Sequence, residues 1–209
     1  FVLAGPNARS VLQKIADADI SNESFKWLSM QEIPIGFCPK VRAMRVNFVG
    51  SLGWELHHPI EYQLQLFEAL QNAGAEFEIK NVGMRAMDSM RLEKSYRLWG
   101  TDLNAENSAL EANLQRFIKL NKGEFTGRQA LVEQQEQGVP NKFCTIEIEA
   151  DDADSFGNEP IIIDGKVVGR GTSGGYGHFI RKSLMLGYIE SDHANIGQKC
   201  QVRLLDKLL

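Results

Sequence analysis

Long hydrophobic runs are missing from this chain. No stretch approaches the roughly 20 apolar residues that a membrane-spanning helix needs, so no membrane association is expected. Cysteine is scarce: Cys38, Cys144 and Cys200 are odd in number, far apart and without a C-x-x-C pair. A disulfide framework or thiolate zinc site is therefore not expected, and the default location is a reducing one, cytoplasm or mitochondrial matrix. Basic charge is not in excess either. The formal net charge of −4 gives no footprint for nucleic acid. The histidines His57, His58, His178 and His193 offer only the adjacent pair His57-His58, whose rings face opposite sides of a strand, so no metal site is expected. Also absent are a Walker A loop, a G-x-G-x-x-G opening a helix and a Gly-x-Ser-x-Gly elbow.

What is present is the balance of an ordinary globular chain, 43% apolar and 24% charged, over 209 residues, enough for one or two cores. The periodicity predicts a strand at Val2 to Ala4, a helix from Ala8 to Ile15, and a polar connection from Ile20 to Met30 anchored by Phe25, Trp27 and Leu28. A strand from Val41 to Val49 follows, with a hairpin partner from Trp54 to His58. Glu61 to Asn72 reads as an amphipathic helix with Leu64, Phe67, Ala69 and Leu70 on its apolar face and Gly74 as its stop. A last strand at Glu76 to Lys80 would complete most of a ferredoxin-like βαββαβ unit.

Helices are then predicted over Gly83 to Lys94, Ala109 to Leu114 and Gly127 to Gln137. Met84, Met87 and Met90 with Leu92 read as core filling, with a soft binding surface as the other reading. From Phe143 the pattern turns to strands. Phe143 to Ile148, a hairpin about Asp164-Gly165, Ser183 to Ile189 and Lys199 to Leu205 make a small all-β module. Two structural units meeting within 120–143 are expected. The acidic run Asp151 to Asn158 lacks the calcium-loop pattern and reads as solvated. The glycines of Gly174-Gly-Tyr-Gly177 could cradle a phosphate but suit tight β turns better.

One carboxylate stands out. In Trp54-Glu55-Leu56, strand alternation puts Trp54 and Leu56 on one face and Glu55 on the other. Glu55 is either a solvated edge residue or a two-oxygen acceptor for a paired N–H group such as a pterin or guanine ring presents.

Several segments, in order, carry more than periodicity. They are Leu3-Ala-Gly-Pro-Asn-Ala-Arg9, Val49-Gly-Ser-Leu-Gly-Trp-Glu-Leu56, Gly83-Met-Arg-Ala-Met-Asp-Ser-Met-Arg-Leu-Glu-Lys94, Gly100-Thr-Asp-Leu103 with Ala109-Leu-Glu-Ala112, Phe125-Thr-Gly-Arg-Gln-Ala-Leu131 and Val168-Gly-Arg-Gly-Thr-Ser-Gly174. Together they resemble the glycine-cleavage T-protein family, the tetrahydrofolate-dependent aminomethyltransferases. Tyr96-Arg-Leu-Trp-Gly-Thr-Asp-Leu103, Leu120-Asn-Lys122 and Asp151-Asp-Ala-Asp154 look most like the folate-binding C-terminal half of dimethylglycine and sarcosine dehydrogenases.

The resemblance implies an α+β fold: a partial ferredoxin-like unit and helical segment over 1–122, a folate-binding domain lacking its N-terminal part, then a C-terminal β-barrel over 123–209. It implies tetrahydrofolate as cofactor, a methylated amine or aminomethyl donor as partner, and either a flavin domain of a longer chain or the missing N-terminal part as a further partner. Glu55 matches the glutamate that holds the pterin ring. Phe48 stands where relatives carry a tyrosine near the ligand. Met87 replaces a folate-contacting arginine. Arg116 falls at a tryptophan position and Lys142 at an arginine position, and both are candidates for the anionic glutamyl tail. The resemblance puts the family's catalytic aspartate ahead of Phe1. No residue here is then assigned to catalysis, and the chain, read as a piece of a longer protein, is not expected to transfer a one-carbon unit alone.

Within the family, an iron–sulfur maintenance protein would carry a cysteine where Lys122-Gly-Glu124 has Glu124. A folate-dependent demethylase of a sulfonium compound remains open. Outside enzymology, the alternative is a non-catalytic folate-binding or scaffolding module.

Overall fold

A computed structural model describes residues 1–209. They divide into two compact units, Phe1–Asp88 and Ser89–Leu209. In the first, β1 (Val2–Ala4), β2 (Met30–Ile35), β3 (Cys38–Met44) and β4 (Gly53–His57) form a sheet in the order β1-β4-β3-β2. All pairings are antiparallel. The helices α1 (Ala8–Gln13) and α2 (Gln63–Gly74) supply apolar residues to the same core as the sheet's inward face. Strand alternation decides which side chains enter that core: Ile33 and Ile35, Val41 and Ala43, Trp54 and Leu56 are all buried. Trp54 is fully buried and packs edge-on to Phe25. Truncating an aromatic so placed costs about 3–5 kcal/mol.

Several expectations are corrected in this unit. β2 is a fourth strand within what periodicity left as a connection and its aftermath. Pro34 interrupts its pattern, which the edge position and a register shift between Ile33 and Ile35 accommodate. Of the predicted anchors before it, Phe25 is buried but Trp27 and Leu28 are exposed.

The strand predicted to reach Val49 stops at Met44. Beyond it the Asn47 side chain accepts from Val49 N–H at 2.9 Å and donates to Ser51 O at 2.6 Å, so local bonds replace the ladder. The core face of α2 is Leu66, Leu70, Ala73 and Gly74, rotated from the expected one, and Leu64 is 66% exposed.

No strand forms over 76–80. The helix tightens into a 3₁₀ turn, Ala75–Phe77, and ends in a Schellman motif. Glu78 takes the left-handed conformation, Glu78 N–H bonds Ala75 O at 3.1 Å, and Ile79 N–H bonds Gly74 O at 3.2 Å. Gly74 is needed less as a stop than as a place for Ile79. A Cβ there would lie 2.7–2.9 Å from the Ile79 side chain.

α3 (Met84–Leu92) runs across the division between the units. Its methionines are not core: Met84 is 74% exposed, Met87 and Met90 are half-buried, and Arg91 and Leu92 are the buried pair. The expected helix over 109–114 is a set of turns, and a 3₁₀ turn, Gln115–Phe117, follows it, while α4 (Arg128–Gln137) forms as predicted.

The remaining strands, β5 (Asn141–Ile148), β6 (Pro160–Ile163), β7 (Lys166–Gly177), β8 (Lys182–Glu190), β9 (Gln201–Leu204) and β10 (Lys207–Leu208), form one antiparallel sheet in the order β10-β9-β6-β7-β8-β5. Asp164 and Gly165, both with positive φ, make the β6–β7 turn that the Asp-Gly pair signalled. The inner cluster joins Ile148, Ile161, Ile163, Val168, Met185, Ile189 and Val202. A second cluster packs Leu92 and Ala112 against Phe143, Leu184, Leu186 and Tyr188. β8 is therefore covered on both faces, and Ser183 through Ile189 are all buried. The segment around 92–114 packs with this sheet. The Gly174–Gly177 glycines lie within β7 rather than in turns. A Cβ on Gly174 would fall 2.6 Å from Ser155 O, so close backbone approach is what requires glycine there.

Candidate functional site

Glu55 sits at the centre of β4, opposite Val2 on β1 and Met44 on β3. Its strand neighbours Trp54 and Leu56 are buried to 0% and 1% in the core, so Glu55 is set on the sheet's other face. Its side chain is one-third exposed. One oxygen, Oε2, is 3.3 Å from His57 Nε2, and no protein donor takes Oε1. The register continues the row from Glu55 and Met44 to Met30, so a single carboxylate lies in a row of otherwise apolar side chains, Val2, Met44 and Met30. A solvated charge needs no such setting. A flat ring with an apolar face and a paired N–H edge fits it.

Phe48 lies in the bend after β3 and is half-buried. Strand alternation does not set its direction, because the strand has already ended. Arg116 belongs to the second unit. It is exposed on the 3₁₀ turn, with its guanidinium 4.6 Å from the Phe117 ring centroid. Lys142, exposed on β5, borders a cavity of about 760 Å³ that is also lined by Cys144, Cys200, Ile146 and Val202. Burial pushes the thiols of both cysteines above the ordinary range; beside Cys144, Lys142 works against that shift and Cys200 adds to it. This cavity is in the barrel, and Glu55 does not line it. Arg116 and Lys142 share no common partner.

Periodicity missed the most buried polar cluster. Asp102 is 0% and Arg91 1% exposed, with Arg91 Nη1 2.7 Å from Asp102 Oδ2. Leu98 N–H donates to the same oxygen at 2.7 Å. Ser173 Oγ donates to Oδ1 at 2.7 Å, and Thr172 Oγ1 donates to it as well. Arg91 Nη1 also reaches Ser173 Oγ and Tyr96 O, both at 3.0 Å. Tyr188 Oη donates to the Asp102 backbone carbonyl at 2.8 Å. With both oxygens occupied by donors, Asp102 pins the 92–103 segment to β7 and β8 and has no capacity left for proton transfer. The one signal for it in the sequence is that Arg91, Asp102, Thr172 and Ser173 all fall inside the family-like segments.

Two family models cover most of the chain: the GCVT N-terminal domain over residues 1–122 and the glycine cleavage T-protein C-terminal barrel domain over residues 141–209. The chain belongs to the glycine cleavage T-protein family. Among its relatives, human mitochondrial dimethylglycine dehydrogenase is 42% identical over 206 residues, 98% of this chain and 24% of that protein. The aminomethyltransferase of Caldanaerobacter subterraneus is 31% identical over 209 residues, 100% of this chain and 55% of that protein. The chain therefore spans about a quarter of the dehydrogenase and about half of the transferase. The crystal structure of glycine cleavage system aminomethyltransferase T from Bartonella henselae superposes with a TM-score of 0.83 at 24% identity, over 98% of this chain and 55% of that one, and shares its fold. No helix is long and apolar enough to cross a membrane.

Proposed function

We propose that this chain is the tetrahydrofolate-binding part of a one-carbon transferase of the aminomethyltransferase or dimethylglycine dehydrogenase type. The observation that carries the reading is Glu55. The carboxylate matched by the family motif Val49 to Leu56 stands on the outward sheet face, half-buried, between apolar neighbours and with one oxygen unclaimed. Glu55 accepts the ring N–H and exocyclic amine of the pterin as a charge-assisted pair, while Val2 and Met44 flank the ring and displace water from it. When bound, the reduced folate supplies the nitrogen that takes the one-carbon unit. The protein's part is to hold that nitrogen in a fixed orientation, the largest advantage a site without a nucleophile can give. Phe48 is assigned to packing beside the ligand. A methylated amine or aminomethyl donor, and a flavin domain that would take two electrons from the amine and release its one-carbon unit, belong to the same proposal.

Calorimetric titration with 5-formyltetrahydrofolate, an oxidation-stable reduced folate, tests the reading. Glu55→Gln keeps the shape but removes the charge and turns one acceptor into a donor, so binding should weaken by about 1.5–3 kcal/mol. Equal affinities for wild type and variant would sink the assignment.

A further inference from the structure

Two residues after Glu55 on the same strand, His57 must share its face. Register then fixes the row beside it: Arg42 on β3 faces His57, and Glu32 on β2 faces Arg42. The open face of the first sheet thus carries an apolar row interrupted by Glu55, next to a polar row that starts with His57. His57 Nε2 is 3.3 Å from Glu55 Oε2. The neighbouring His58 points elsewhere: its Nδ1 meets Pro59 O at 2.9 Å, and its ring stacks on Phe1 at 5.1 Å.

We propose that His57 is a positioning residue for Glu55. In its neutral form it carries the proton on Nε2 and donates to Glu55 Oε2. That bond fixes the plane of the carboxylate and leaves Oε1, with the remaining lone pair of Oε2, turned to the paired N–H edge of the ligand. In its protonated form it binds Glu55 as a full ion pair and competes with the ligand for the same lone pairs. The proposal rests on Glu55 being the pterin acceptor.

The other charges facing this pair are few. Arg42 lies across from His57, and Glu32 beyond it is shared between Arg42 at 3.9 Å and Lys40 at 3.4 Å. Just ahead of β1, the amino group of Phe1 acts electrostatically on Glu55. Arg42 is already matched by Glu32, which leaves His57 as the side chain bonded to Glu55. With His57 57% exposed, the pair adds little to folding stability, so a melting curve would not detect it. Its effect belongs to binding.

Two measurements test this. First, imidazole ¹⁵N shifts are read at neutral pH in wild type and in Glu55→Gln. His57 should carry its proton on Nε2 in wild type and lose that preference in the variant, with His58, His178 and His193 unmoved. An unchanged His57 tautomer overturns the proposal. Second, affinity for 5-formyltetrahydrofolate is measured from about pH 5 to pH 8. Wild-type affinity should fall roughly threefold as His57 protonates, an ordinary size for coupling between two sites. His57→Gln, which keeps an N–H donor but cannot titrate, should retain the neutral-pH affinity and lose the slope, while His57→Ala should bind more weakly at neutral pH. A slope that persists in His57→Gln overturns the proposal. Should Glu55→Gln bind as well as wild type, or wild type not bind at all, the folate reading itself fails. The imidazole ¹⁵N shifts still decide the His57–Glu55 bond in that case.

Discussion

At the residue scale, the molecule depends most on Asp102. Its carboxylate meets Arg91, Leu98 N–H, Thr172 and Ser173 in a site with no water-facing side. Asp102→Asn replaces an acceptor with a donor and removes the carboxylate that Arg91 Nη1 meets at 2.7 Å. Breaking a buried pair in this way costs roughly 3–5 kcal/mol, and urea denaturation of the variant should show a loss of that order. A loss below about 1 kcal/mol would mean that Arg91 is neutralised elsewhere. Tyr188, 7% exposed and bonded to the Asp102 carbonyl, is pushed up to about 12 by burial and then by the Asp102 charge. Because its folded value lies above the ordinary one, its contribution to stability is complete below about pH 10 and is lost as pH rises towards 12. Spectrophotometric titration should find one tyrosine ionising late, together with unfolding. Four tyrosines ionising together near pH 10 would contradict the buried hydroxyl.

At the scale of elements, periodicity was a good guide wherever an apolar face or an unbroken apolar run was buried and the strand ran uninterrupted. β4, β5, β8 and the Asp164-Gly165 hairpin all lie where alternation and turn chemistry put them. It failed where a local bond or a close approach outweighed the pattern. Asn47 ends β3 early through its own side chain, and Pro34 hides β2 by breaking its alternation. The sequence 76–80 has strand-like composition but closes a helix through Glu78 and Ile79. That last misreading makes a prediction. Glu78 holds a left-handed conformation that disfavours a Cβ, so Glu78→Gly should relieve about 1 kcal/mol and raise the melting temperature. A lower melting temperature would show that the Glu78 side chain contributes more than its backbone loses. In β7, Gly174→Ala would drive a methyl group into Ser155 and should lower stability markedly by the same measurement; a neutral result would mean that the 151–158 loop moves aside.

For the whole molecule, the order of the motifs pointed to the family more securely than any single motif or period did. The site was only partly legible. Glu55 could be chosen because a lone acid between Trp54 and Leu56 has its face fixed by alternation, and its row-mates Val2, Met44 and Met30 then follow from the register. Arg116 and Lys142 could not be placed from sequence, because a 3₁₀ turn and an open barrel wall leave their directions to tertiary packing. Periodicity also gave no hint of the barrel cavity lined by Cys144 and Cys200, since its walls come from both ends of the sheet order. That cavity is the natural competitor to the Glu55 face for a small molecule. Chemical-shift mapping separates them. With 5-formyltetrahydrofolate added to ¹⁵N-labelled protein, the largest amide changes should fall on Gly53–His57 of β4 and on the facing residues Val2 and Met44, and Glu55→Gln should remove them. Changes centred on Cys144, Cys200 and their neighbours, or none on β4, would contradict the assignment of Glu55 as the pterin acceptor.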